Sequence, residues 1–245
     1  MNIGIIPARL DSKRLPKKIL ADLNGKPLVV HTIERALQAK RLDRVIVAID
    51  SEETREKLKE YDYEIFMTSS QHLSGTDRVA EVVRQITEAK IIINIQADEP
   101  MIDPAIIDSL VDVFDDKGIG LSTIVSNKLT VNDLLNPNIV KAFIDIEKNA
   151  IDFKRNIFDL EIGGVYRHIG IYGFSRETLF TFTELESSDR EKKHNLEQLR
   201  AIDNNIPIHT IITNYNTYSV DTQDDLDKVA EIMNDSRNLV NDEEK

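Results

Sequence analysis

The chain begins Met1-Asn2-Ile3-Gly4-Ile5-Ile6 and continues Pro7-Ala8-Arg9-Leu10-Asp11-Ser12-Lys13-Arg14-Leu15-Pro16-Lys17-Lys18. The apolar run reads as a buried strand. The loop behind it holds five cations, Arg9, Lys13, Arg14, Lys17 and Lys18, in a chain whose net charge is −12. Cations gathered at the carboxyl end of a first strand predict an anion site, because open α/β sheets bind ligands there and loop N–H groups cradle phosphate. The alternative is a solvated loop with ordinary surface Lys and Arg.

Outward from this loop the first half alternates strand and helix. An amphipathic helix over 28–40 carries Val29, Ile33, Ala36 and Leu37 on one face. Further buried strands are read at Arg44–Ile49, Glu64–Met67 and Ile91–Ile95, and further helices at Glu52–Tyr61, Thr76–Ala89 and Pro104–Phe114. This rhythm predicts an α/β fold: a mostly parallel, Rossmann-like sheet with helices on both faces. After Asp115 the pattern changes. Strands at Leu121–Val125, Ile139–Ile146 and Ala150–Phe153 lack helices between them, 154–167 reads as a loop around Gly163-Gly164, and His168–Phe174 is again a strand. Helices at Glu177–Leu185 and Leu196–Asp203, a strand at Ile206–Ile212 and a helix at Asp224–Met233 follow. The second half therefore inserts an antiparallel piece into a single domain. Residues 1–115 form its first half, 116–235 its second, and 236–245 a frayed tail.

Composition narrows the chemistry. There is no cysteine, which excludes disulfides, zinc–thiolate sites and thiol nucleophiles. The acidic balance argues against nucleic acid as a partner. No run approaches the ~20 apolar residues of a membrane helix, and Met1 leads directly into a strand without a signal peptide, so a cytoplasmic setting is expected.

Four groups of residues then matter. Asp98 and Glu99 follow the strand at 91–95, where two carboxylates suit Mg²⁺ or, equally, a turn before Pro100. Asp221 precedes the last helix and reads either as its N-cap or as a second metal carboxylate. Ser74-Gly75-Thr76-Asp77-Arg78 opens a helix whose N–H groups can hold an anion, or is a plain cap. His168, Tyr172, Glu197 and Gln198 are polar residues on apolar elements, either ligand contacts or satisfied core groups. No Ser-His-Asp order worth defending and no G-x-G-x-x-G pattern is found, so acyl and hydride transfer are poorly supported.

Read together, PARLDSKRLPKKIL (7–20), NGKPLVVHTIERA (24–36), SGTDRVAEV (74–82), NIQADEPMI (94–102), NPNIVK (136–141), HIGIYGF (168–174), LEQLRAI (196–202) and VDT (220–222) resemble the CMP-Kdo synthetases. These cytidylyltransferases of the nucleotidyltransferase superfamily activate 3-deoxy-manno-octulosonate (Kdo). The resemblance implies a Mg²⁺-dependent transfer of CMP from CTP to the anomeric hydroxyl of a sugar acid, with release of pyrophosphate, for lipopolysaccharide or capsule precursors. It implies that Arg9, Ser12, Arg14 and Lys18 hold the triphosphate. Pro7, Ala8, Ser74, Gly75, Thr76 and Arg78 would surround the nucleotide, and Asp98 and Asp221 would bind the metal. Gln96, Arg155, His168, Tyr172, Glu197 and Gln198 would form the sugar pocket, with Arg9, Lys18 and Asp98 closest to the chemistry. A homodimer joined through the antiparallel piece is implied as well.

Departures from the family pattern cluster on the sugar side. Lys17 and Ile19 replace a usual Gly and Pro, and Ala97 replaces a Gly. The segment Asp152-Phe153-Lys154-Arg155-Asn156-Ile157-Phe158 keeps the family Arg but loses a Ser and a Pro, the loop from Arg155 to His168 is short, and His194 stands where a Glu is usual. Alternatives are thus a different ulosonic acid, an amino or nonulosonic variant, a sugar-phosphate nucleotidyltransferase, or a non-catalytic nucleotide-binding domain.

Overall fold

The computed structural model describes residues 1–116, 118–157 and 164–243. The chain opens with β1 (Asn2–Ala8) and, after a 3-10 turn at Lys18–Leu20, a small hairpin of β2 (Asp22–Leu23) and β3 (Lys26–Pro27). Then come α1 (Leu28–Ala36), β4 (Arg44–Ile49), α2 (Glu52–Leu58), β5 (Glu64–Met67), α3 (Gly75–Arg84), β6 (Ile91–Asn94) and α4 (Pro104–Asp112). The second half runs β7 (Leu121–Ser126), α5 (Val131–Leu135), β8 (Lys141–Ile144), β9 (Ala150–Lys154) and β10 (Val165–Ser175). It ends with α6 (Arg176–Glu184), α7 (Asp189–His194), α8 (Leu199–Asp203), β11 (His209–Thr213) and α9 (Gln223–Glu243).

The main sheet has the order β11-β7-β10-β6-β1-β4-β5. β1 pairs in parallel with β4 and β6, and only β10 runs against its neighbours along this path. The antiparallel piece is β8 and β9, which extends from the outer half of β10. Alternation along β1 explains the layering. Ile3 and Ile5 face one core with Val79 and Val83 of α3 and Leu179 and Phe182 of α6, whereas Ile6 and Ala8 face the other with Val29 and Ile33 of α1 and Leu110 of α4. A third cluster of Leu23, Leu28, Val220, Leu226 and Val229 packs α9 onto the small hairpin. The expected mostly parallel sheet, with helices on both faces and an antiparallel insert, is the observed fold.

Element ends differ from the sequence expectations for identifiable reasons. The first helix stops at Ala36 rather than 40, because the chain turns at Leu37, which is half exposed. The last helix continues to Glu243 rather than ending at Met233, since no Gly or Pro interrupts it. The helix expected from Leu196 begins at Leu199; Asn195 takes a left-handed conformation (φ 51°), so Glu197 and Gln198 lie in the turn before α8. α5 and α7 were not anticipated, because neither carries a buried residue; each is fixed by a reciprocal capping box. In the loop read over 154–167, β9 ends at Lys154 and β10 begins at Val165, while 158–163, with Phe158 and Gly163, lies outside the described residues.

Candidate active site

The carboxyl ends of β1, β4 and β6 open on one edge of the sheet. A cleft of about 400 Å³ there is lined by the basic loop (Arg9, Ser12, Arg14, Lys18), by Pro7, by Ser74, Gly75 and Arg78 at the start of α3, and by Gln96, Asp98 and Asp221. Ala8 and Thr76, though named with this group from the sequence, do not line it: Ala8 is fully buried, and Thr76 faces a small apolar-walled cavity beside Tyr172 and Glu197. A Cβ on Gly75 would lie 3.3 Å from the Pro7 ring, tight enough that a neighbour must give by a few tenths of an ångström.

The basic loop is drawn inward by acids from distant elements. Lys18 Nζ lies 2.6 Å from Asp98 Oδ2 and 2.9 Å from Asp221 Oδ1, and Arg14 reaches the same Asp221 oxygen at 2.8 Å. Burial alone lowers the Lys18 pKa, but the two carboxylates outweigh it and hold the ammonium above its ordinary value. The choice left open for Asp221 resolves here. Thr222 and Asp225 cap α9 reciprocally, so Asp221 is not the cap and its carboxylate faces the cleft. The backbone bond from Val220 N–H to Asp98 O, 3.0 Å, ties the two acidic segments together. Lys17 occupies the left-handed region (φ 53°), where glycine is at ease, and its ammonium is paired with Glu53 at 2.6 Å.

One residue absent from the sequence expectations braces this cleft. Asp50, at the end of β4, accepts a hydrogen bond from Leu10 N–H (3.0 Å) and pairs with Arg78 at 2.9 Å. Arg78 is 2% exposed and also donates to Thr68 Oγ1 and Ser69 O. Its guanidinium is therefore committed to the protein, and it borders the cleft as a brace. Glu99, beside Asp98, is buried and accepts from Thr217 Oγ1; burial first, then the Asp98 charge, pushes its pKa up to about 8. The position of Asp50 after an apolar strand is the same signal that singled out Asp98.

A second cleft of about 350 Å³ adjoins the first and shares Arg14, Gln96, Asp98 and Asp221 with it. Arg155, His168, Tyr172, Glu197 and Gln198 line it as well. His168 and Tyr172 lie on one side of β10, their rings 5.6 Å apart, despite a bulge at Gly170-Ile171. Phe153 closes against His168 at 5.0 Å, and His168 Nε2 meets Thr123 Oγ1 at 3.0 Å. Burial lowers the His168 pKa to about 3, so the imidazole is neutral at physiological pH. Glu197 Oε2 accepts from Thr76 Oγ1 at 3.0 Å, whereas its Oε1 is buried with no partner among the described residues. Burial raises the Glu197 pKa.

Arg155 lines this cleft with its guanidinium engaged by the protein. Its Nε, NH1 and NH2 donate to the carbonyls of His194 (3.1 Å), Pro137 (3.0 Å) and Asn195 (3.1 Å). Lys141, fully buried, donates in turn to the carbonyls of Asn136 and Arg155. The two cations fasten the 136–137 turn, the end of β9 and the 194–195 turn to one another, which sets the position of Glu197 and Gln198.

The sequence pattern of the cytidylyltransferase family matches residues 3–211. The 3-deoxy-manno-octulosonate cytidylyltransferase of Chlorobium limicola is 42% identical over 237 residues, covering 94% of this chain and 96% of its own. The enzyme of the same name from Geobacter metallireducens is 39% identical over 244 residues, covering 93% and 96%. Among solved structures, a CMP:2-keto-3-deoxy-manno-octonic acid synthetase complexed with CTP superposes with a TM-score of 0.89 at 34% identity, over 96% of this chain and all of that one.

Proposed function

Because this chain belongs to the cytidylyltransferase family, we propose that it transfers CMP from CTP to the anomeric hydroxyl of a 2-keto-3-deoxy sugar acid, Kdo, and releases pyrophosphate. The observation that carries this reading is the sharing of Arg14, Gln96, Asp98 and Asp221 between two adjoining clefts. A donor and an acceptor seated in them would meet at these residues.

In the donor cleft Arg9, Arg14 and Lys18 take the triphosphate charge and Ser12 donates to a phosphate oxygen, while Pro7 and the Ser74-Gly75 turn border the nucleoside. The acceptor lies against the His168–Tyr172 wall, with Gln96, Glu197 and Gln198 beside its hydroxyls. With no covalent intermediate to form, the protein contributes orientation and charge neutralisation. Asp98 and Asp221 fit a hard divalent cation: both carboxylates converge on one point, held at present by the Lys18 ammonium. They would hold Mg²⁺, which supplies neutralisation of phosphate charge and polarisation of a phosphoryl oxygen.

The test is pyrophosphate release from CTP with Mg²⁺ against Kdo, amino and nonulosonic acids, and sugar 1-phosphates. Turnover is expected with Kdo and its absence after chelation of the metal. Binding of CTP without turnover of any sugar acid would refute the reading. Homodimerisation through β8 and β9 is supported by Ile146 at their turn, 99% exposed, and by Ile151, 56% exposed. Sedimentation at micromolar concentration should give twice the mass of the 27.9 kDa chain, and an Ile146→Asp substitution should shift it towards monomer; a monomeric wild type would rule the dimer out.

A further inference from the structure

We propose that Arg167 recognises the carboxylate of the acceptor, so that selectivity for an acid is set from β10 and not by Arg155. The proposal rests on the reading of this site as a cytidylyltransferase acting on a sugar acid.

Three guanidinium groups line the acceptor cleft: Arg14, Arg155 and Arg167. Arg14 is paired with Asp221. Every nitrogen of Arg155 already donates to a backbone carbonyl, so a ligand would have to break the bonds that position the 194–198 turn. The Arg167 side chain makes no hydrogen bond or ion pair among the described residues, although the buried Glu99 carboxyl is close enough to feel its charge. Its backbone is held on both sides, opposite Ser126 of β7 and Lys141 of β8, which places it on a rigid element. It lines both the acceptor cleft and the groove beside it, next to Asn138, Thr217 and Ser219.

Charged groups of both signs surround Arg167. Asp98 and Asp221 are each already paired with a cation. Among the described residues the Lys141 and Arg155 side chains hydrogen-bond only to carbonyl oxygens, while Asp133 and Asp221 act on them through charge and Glu99, buried in the same cleft, acts on Arg167. A guanidinium offers two parallel N–H donors that match a carboxylate edge, which an ammonium cannot reproduce. The ligand class is thus a planar monoanion, the C1 carboxylate of a 2-keto acid in its ring form.

The experiment compares wild type, Arg167→Met and Arg167→Lys for the KM of Kdo, the KM of CTP, the melting temperature and the preference for Kdo over its C1 amide. Arg167→Met should raise the acceptor KM by at least about tenfold and erase most of the acid preference, with the KM of CTP within about twofold of wild type. Arg167→Lys should fall between. An unchanged acceptor KM in Arg167→Met overturns the assignment and leaves the reading of the site standing. Equal losses for both substrates with a lowered melting temperature also overturn it, by showing a structural role. A wild type that turns over a sugar 1-phosphate and no ulosonic acid overturns the reading itself, and the carboxylate assignment with it.

Discussion

An Asp98→Asn variant is expected to fold normally and to lose on the order of a thousandfold in turnover, the scale found when one preorganised charge contact is removed from an active site. Asp98 stands just beyond β6, where the donor and acceptor clefts meet, and its Oδ2 lies 2.6 Å from Lys18 Nζ. Asparagine keeps the shape of the side chain but removes the charge that would help hold a divalent cation. The fold should tolerate the change. Lys18 retains Asp221 at 2.9 Å, and the Asp98 carbonyl still accepts from Val220 N–H. The measurement is pyrophosphate release at saturating CTP and acceptor, paired with a thermal melt. Near-normal turnover would remove Asp98 from the chemistry, and a collapsed melting temperature would reassign it to stability.

The second large effect concerns Asp50. Asp50→Ala should destabilise the chain by about 3 kcal/mol, because it leaves the Arg78 guanidinium buried without its carboxylate. For a chain of this length that corresponds to a fall of roughly 10 °C in melting temperature. The same substitution frees Leu10 N–H, the anchor of the basic loop, so CTP affinity should fall as well. The double variant Asp50→Ala with Arg78→Met separates the two effects. It should recover most of the stability, since no buried charge remains, yet it should not restore CTP binding, because the loop anchor is still missing. Full recovery of binding would show that the loop holds itself without Asp50.

How much of this could be seen in the sequence follows from the range of the interactions involved. The strand Arg44–Ile49 was legible to the residue, because an unbroken apolar run, mostly β-branched and bounded by polar residues, has few other homes. Helix α7 was not, since DREKKH buries nothing; its stability comes from Ser188 capping Glu191 N–H and from Glu191 pairing with Arg200. Asp98 and Lys18 were each visible as residues at the edge of a strand or loop. Their contact spans 80 positions and could not be read. Arg78 and Arg155 show the limit most clearly. Both are cations within binding motifs, yet both donate to the protein itself, and nothing local in the sequence distinguishes a guanidinium that grips a ligand from one that grips carbonyls.

By itself, then, the sequence determined the alternation of buried strands and amphipathic helices, the antiparallel insert and the cationic loop after the first strand. Those depend on apolar periodicity and local charge, which are properties of neighbours in the chain. Only the tertiary structure decided that Asp221 turns from a helix cap to the cleft, that Asp50 braces the loop, and that the Arg167 side chain has no hydrogen bond or ion pair among the described residues. Each of those outcomes depends on which distant groups fill the hydrogen-bonding capacity of a side chain, and burial settles that only once the sheet has closed.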